Sequence, residues 1–94
     1  MNVRLAAQVV EFVRTRAPEP RRRLREALRG LSKEKGDIKS LQADLNGYCR
    51  LRCGSYRFVF AYRTSGSRRQ IDVIFCEHRS VVYEAFSIIA RQLR

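Results

Sequence analysis

Residues 47–62 read GYCRLRCGSYRFVFAY, and over this stretch the side-chain pattern has a period of two. Cys49, Leu51 and Cys53 alternate with Tyr48, Arg50 and Arg52. After Gly54–Ser55, Tyr56, Phe58, Phe60 and Tyr62 alternate with Arg57, Val59, Ala61 and Arg63. Successive strand residues point to opposite faces, so two alternating runs joined by a Gly-Ser turn predict a β-hairpin with one buried face. With Leu51, Phe58 and Phe60 turned inward, Arg50, Arg52 and Arg57 all fall on the outer face. Like charges facing one another across strands destabilise a sheet unless an anion sits between them. The segment offers no acidic residue between Asp44 and Asp72. A phosphate backbone from outside is the simplest such anion; the alternative is a solvated face paired with acids elsewhere in the chain.

Downstream, the polar turn Thr64 to Arg69 leads to a third strand over about Gln70 to Glu77. Strict alternation puts Ile71, Val73 and Phe75 on one face and Asp72, Ile74 and Cys76 on the other, in an antiparallel sheet. The chain closes with a helix from about Ser80, whose hydroxyl is placed to cap it, with Val82, Phe86, Ile89 and Leu93 at helical spacing. Upstream, Asn2 to Leu5 reads either as a short edge strand or as the start of the following helix. From Ala6 the pattern is helical, with Val9, Val10, Phe12 and Val13 as an apolar stripe. Pro18 is expected to end that helix and Pro20 to open the next, which runs to about Lys35 on a seam of Leu24, Leu28 and Leu31. Residues 36–46 read as a loop or short turn anchored by Ile38 and Leu41. The expected architecture is one α+β domain over residues 1–94, in the order (β)ααβββα.

The chain of 94 residues carries 20 Lys and Arg against 9 Asp and Glu, a net charge of +11, and all but Lys33, Lys35 and Lys39 of its cations are Arg. Arg grips phosphate in a bidentate fork and stacks on bases, which makes nucleic acid or ribonucleoprotein the leading partner class, with an acidic protein as the other. Arg21, Arg22, Arg23, Arg25 and Arg29 crowd the solvent side of the second helix, as a partner surface or simply a hydrated face. No apolar run approaches the ~20 residues that span a bilayer, and the N-terminus lacks a signal-peptide core, so no membrane partner and a cytoplasmic location are expected. Cys49, Cys53 and Cys76 form neither a CxxC pair nor a set with a matching His. They read as small buried hydrophobes, with no metal site and no cofactor.

A second cluster, Glu77, His78, Arg79 and Tyr83, falls at the end of the third strand and the start of the last helix, where free N–H groups favour anions. His78 is the only histidine, and is read either as structural or as a proton carrier. Tyr83 is read either as a half-buried helix residue or as part of a site.

The string GYCRLRCGSYRFVFAY followed by IDVIFCEHRSVVYEAF resembles the RelE/ParE toxin superfamily, and the helical N-terminal half with its basic second helix is similar too, so the resemblance covers nearly the whole chain. It implies the toxin of a type II toxin–antitoxin system, with a cognate antitoxin whose helical or extended segment covers the basic face or displaces the last helix. For a RelE-like member it implies a ribosome-dependent mRNA endoribonuclease that inhibits translation. In that metal-free cut the ribose 2′-hydroxyl attacks the adjacent phosphate and leaves a 2′,3′-cyclic phosphate. Carried over by position, Arg57 matches the phosphate-stabilising Arg, Arg50 and Arg52 an RNA-binding cationic pair, Arg79 a second catalytic Arg, and Tyr83 the C-terminal Tyr that positions a base. Arg at both pair positions holds its protons too firmly to act as a base, which leaves His78, Tyr83 or substrate positioning by the ribosome to fill that role. The same resemblance covers a ParE-like inhibitor of DNA gyrase and a non-catalytic ribosome- or RNA-binding relative.

Overall fold

A computed structural model of the chain describes residues 1–93. Among these residues the order is β1 (Asn2–Leu5), α1 (Ala7–Arg14), α2 (Pro18–Leu31), β2 (Asp37–Ser40), a 3-10 turn (Ala43–Leu45), β3 (Cys49–Cys53), β4 (Tyr56–Ser65), β5 (Arg68–His78) and α3 (Val82–Gln92). The strands form one sheet in the order β1-β5-β4-β3-β2. The α+β class and the predicted hairpin stand. The sheet, however, is mixed: β1 runs parallel to β5, and the other pairs are antiparallel. That direction is set by a non-local constraint, because the chain must leave β1 straight into α1, whose Val9, Phe12 and Val13 are buried against the sheet.

Other expectations change with the tertiary context. Pro18 does not end α1, which stops at Arg14; it opens α2 at the first helical position, where a missing N–H costs nothing. The stretch expected as a loop contains β2, a four-residue strand whose ladder to β3 pairs Asp37 with Arg52 and Ile38 with Leu51. Val10 is left out of the buried stripe and is exposed. Ser80 does not cap α3, since its hydroxyl lies 2.8 Å from His78 Nδ1.

The largest departure concerns the faces of the sheet. Between β4 and β5 the register slips: Val59 faces Phe75 but Phe60 faces Val73, so Ile74 is an extra, bulged residue. One inserted residue reverses parity. Ile71, Val73 and Cys76 therefore share the core beneath α1 and α2 with Leu51, Phe58 and Phe60, while Phe75 turns to the opposite face. There it joins Leu45, Val59, Val82, Phe86 and Ala90 in a second core beneath α3. Both faces are thus covered in the middle of the sheet, and the outer face is not the open surface that alternation suggested. Val59 and Ala61, placed outward by the same reading, are fully buried.

The free edge of β5 is completed by a side chain. Beyond Leu5, β1 no longer supplies partners; Ala6 N–H donates to Val73 O at 2.9 Å. Gln8 then takes over, its amide donating to Cys76 O at 2.8 Å and its carbonyl accepting Cys76 N–H at 2.9 Å. This pair imitates a strand and ties α1 to the end of β5 that leads into the candidate site.

Candidate functional site

Two strand ends and a helix start converge at one end of the sheet. Arg52 and Arg57 are directly opposite each other across β3 and β4, and Arg57 is in turn opposite Glu77 on β5. These residues lie on the α3 face, beyond the part that the helix covers. Arg57 is half-buried, and its Nη1 donates to Gly54 O at 2.8 Å and Tyr56 O at 2.9 Å. Both bonds use one nitrogen, so Nε and Nη2 keep donors for an incoming anion. Glu77 is turned back on its own strand, where Oε1 accepts the His78 N–H at 2.9 Å. No ion pair joins it to Arg57 among the described residues.

Arg79 is brought to the same end by its backbone, whose N–H donates to Ser55 O at 2.7 Å. That bond pins the β5–α3 corner to the β3–β4 turn that precedes Arg57. Tyr83, in the first turn of α3, packs half-buried against the second core, on the same side of the sheet as Arg57.

Arg50 and His78 are placed apart from this group. Arg50 is opposite Val59, and its Nη1 is engaged by Asp37, through the carbonyl at 2.8 Å and the carboxylate at 3.0 Å. Its side chain is only 16% exposed, so it is a bridge between β2 and β3 rather than a free cation. Sequence reasoning missed Asp37 because it sits on a strand too short and polar to announce itself by periodicity. His78 is opposite Tyr56, on the face beneath the helical hairpin. Its ring meets the Tyr56 ring edge-on at 6.0 Å, and Tyr56 meets Phe12 likewise at 5.7 Å. Nδ1 accepts the Ser80 N–H at 3.2 Å, which assigns the proton of the neutral ring to Nε2. A recess of about 210 Å³ opens there, lined by Pro20, Arg23, Cys53, Tyr56 and His78. Burial pushes the Cys53 thiol up, against the pull of Arg23 and Arg57.

No protein-family model matches the chain, and no curated protein matches it. Solved structures do. The YoeB/ParE toxin from Agrobacterium tumefaciens superposes with a TM-score of 0.66 at 22% identity, over 83% of this chain and 98% of the other. The RelB-RelE antitoxin-toxin complex from Methanococcus jannaschii gives 0.64 at 22% identity, over 88% of this chain and 98% of the matched one. The fold is that of the RelE and ParE toxins. An archaeal RelE-RelB complex from Pyrococcus horikoshii agrees, with a TM-score of 0.59 at 24% identity over 83% of this chain and 93% of the matched one. In this RelE-like fold the Arg52–Arg57 pair and the Arg79 corner occupy the end of the sheet from which α3 departs.

Proposed function

We propose that this protein is the toxin of a type II toxin–antitoxin pair and that it cuts messenger RNA on the ribosome, in the cytoplasm. The observation that carries the reading is the cross-strand Arg52–Arg57 pair beside the Arg79 corner, with no acidic side chain bound to any of these guanidiniums among the described residues. Such a pair is unfavourable in isolation and favourable around a phosphate. In the proposed reaction the ribose 2′-oxygen bonds to the adjacent phosphorus, the bond to the 5′-oxygen breaks, and a 2′,3′-cyclic phosphate and a 5′-hydroxyl remain. Arg57, Arg52 and Arg79 stabilise the charge that builds on the phosphorane oxygens. Tyr83 is a proton-bearing side chain on this face, as is Glu77 opposite Arg57. His78 faces the other way, with Nδ1 bonded to Ser80, so it stands apart from the Arg57 group and is a candidate for ordering the β5–α3 corner. Arg50 acts through its bridge to β2. The net charge of +11 fits both an RNA target and an acidic antitoxin segment.

Arg57→Ala separates chemistry from binding. The proposal expects cleavage to fall about 10²- to 10³-fold, the usual effect of losing one transition-state donor, with ribosome binding retained. The matched Agrobacterium structure carries the ParE name as well, so gyrase poisoning is the second reading. Primer extension on cellular messages after brief induction distinguishes the two. Codon-positioned cuts inside translated frames support the ribonuclease, whereas intact messages with a DNA-damage response overturn it in favour of gyrase.

A further inference from the structure

The end of the sheet opposite Arg57 carries a second concentration of unpaired positive charge. β3 stops pairing with β4 at Phe60, and β1 stops pairing with β5 at Asn2, opposite Gln70. Beyond those points β4 and β5 continue alone as a two-stranded ribbon, closed by the turn at Gly66. The ribbon carries Arg63, Arg68 and Arg69 and no acidic residue before Asp72. Asp72 is already shared, at 3.7 Å from Arg63 and 2.9 Å from the Gln70 amide. Arg69 lies over the Tyr62 ring, 5.5 Å from its centre, with Glu34 on the same tyrosine, and the Arg68 side chain makes no hydrogen bond or ion pair among the described residues. Asn2, Ser65, Arg68, Arg69 and Gln70 line a recess of about 510 Å³. Arg68 and Arg69 are successive strand residues, Arg69 on the Tyr62 face and Arg68 on the other, so the ribbon presents an exposed guanidinium on each side, a setting suited to phosphate oxygens that approach from outside.

We infer that this ribbon is a second phosphate-binding site that anchors the protein to folded RNA, independently of the Arg57 end. Arg57 and Ser65 are eight residues apart on one strand, so the two sites are separated by roughly 26 Å at 3.3 Å per residue. A nucleotide held at Arg57 does not reach the ribbon. The ribbon therefore contacts a different stretch of backbone, and on the reading above that stretch is ribosomal RNA. It contributes affinity and orientation rather than chemistry.

The test is the double variant Arg68→Gln/Arg69→Gln, with Arg68→Lys/Arg69→Lys as the charge-preserving control. Both residues are exposed, and unchanged far-UV circular dichroism checks the fold. The probes are a short RNA duplex and purified ribosomes, each titrated at several salt concentrations. For the Gln variant the expected result is weaker binding to both probes. The slope of log affinity against log salt should be reduced by about 1.5 on the duplex, from roughly 0.7–0.9 per lost phosphate contact. The Lys variant retains most of the slope. Unaltered affinity and slope in the Gln variant overturn the inference. If the wild-type chain binds the duplex through this ribbon but not the ribosome, the ribbon site stands and the ribosomal reading falls. If the Gln variant binds ribosomes as well as the wild type, the ribbon falls and the ribosomal reading stands.

Discussion

Replacing Gly36 by Ala probes how strand β2 is admitted to the sheet. Gly36 has φ +122°, a region that side-chain-bearing residues rarely occupy, and a Cβ built there would stand 2.7 Å from Leu51 Cδ1. Leu51 is 1% exposed and fixed within the main core, so its methyl cannot simply swing away. Backbone strain of about 1–3 kcal/mol and overpacking of about 1–3 kcal/mol sum to roughly 2–6 kcal/mol, against a total stability on the order of 5–15 kcal/mol. In urea denaturation this corresponds to a midpoint lowered by about 1–3 M. A second substitution, Leu51→Val, removes the colliding methyl, so the double variant should recover the overpacking part, visible as a favourable coupling in the mutant cycle. Amide exchange locates the effect: Ile38 and Lys39 should lose protection before β4 does, because β2 is the outer strand. A midpoint shift below about 0.3 M, or a cycle with no coupling, would refute the argument that Leu51 and the Gly36 backbone share one space.

Gln8→Ala removes two hydrogen bonds to the Cys76 backbone and leaves that strand edge unsatisfied, so unfolding free energy should drop by about 1–3 kcal/mol, with exchange at Cys76 accelerated. A neutral result would mean that water replaces the amide. Burial pushes the Cys76 thiol far above its ordinary value. The unfolded thiol then ionises first, so above about pH 8.5 the unfolded state holds fewer protons and stability should fall with a limiting slope of about 1.4 kcal/mol per pH unit. Cys76→Ala should remove that component of the slope in alkaline denaturation; an unchanged slope contradicts the assignment. Thiol labelling of the native protein should reach Cys53 alone, with Cys49 and Cys76 reacting only on unfolding.

What was legible in the chain were the features that repeat within a short window. The alternation from Cys49 to Tyr62 gave the hairpin, and Val9, Phe12, Val13, Leu24 and Leu31 gave the helical pair that packs on it. The excess of Arg fixed the sign of the surface, and the resemblance of residues 47–62 and 71–86 to RelE/ParE toxins implied the fold that the superpositions support. Arg52 and Arg57 were placed together by strand parity alone, and the structure makes them direct partners.

What needed the folded molecule were features decided by contacts between distant segments. β2 has four mostly exposed residues, of which Ile38 alone favours a strand, and exists because β3 offers it a ladder. β1 could not be told from a helix start, since its direction follows from where α1 must pack. The bulge at Ile74 is invisible to a period-two count, yet that one residue moves Phe75 and Cys76 to opposite cores. His78, four positions beyond the bulge on β5, ends on the face away from Arg57. Sequence determines periodicity, charge and turn chemistry, which are local. Register, the covering of the second sheet face by α3 and the partners of each guanidinium are settled only when the strands meet, because each depends on residues tens of positions away.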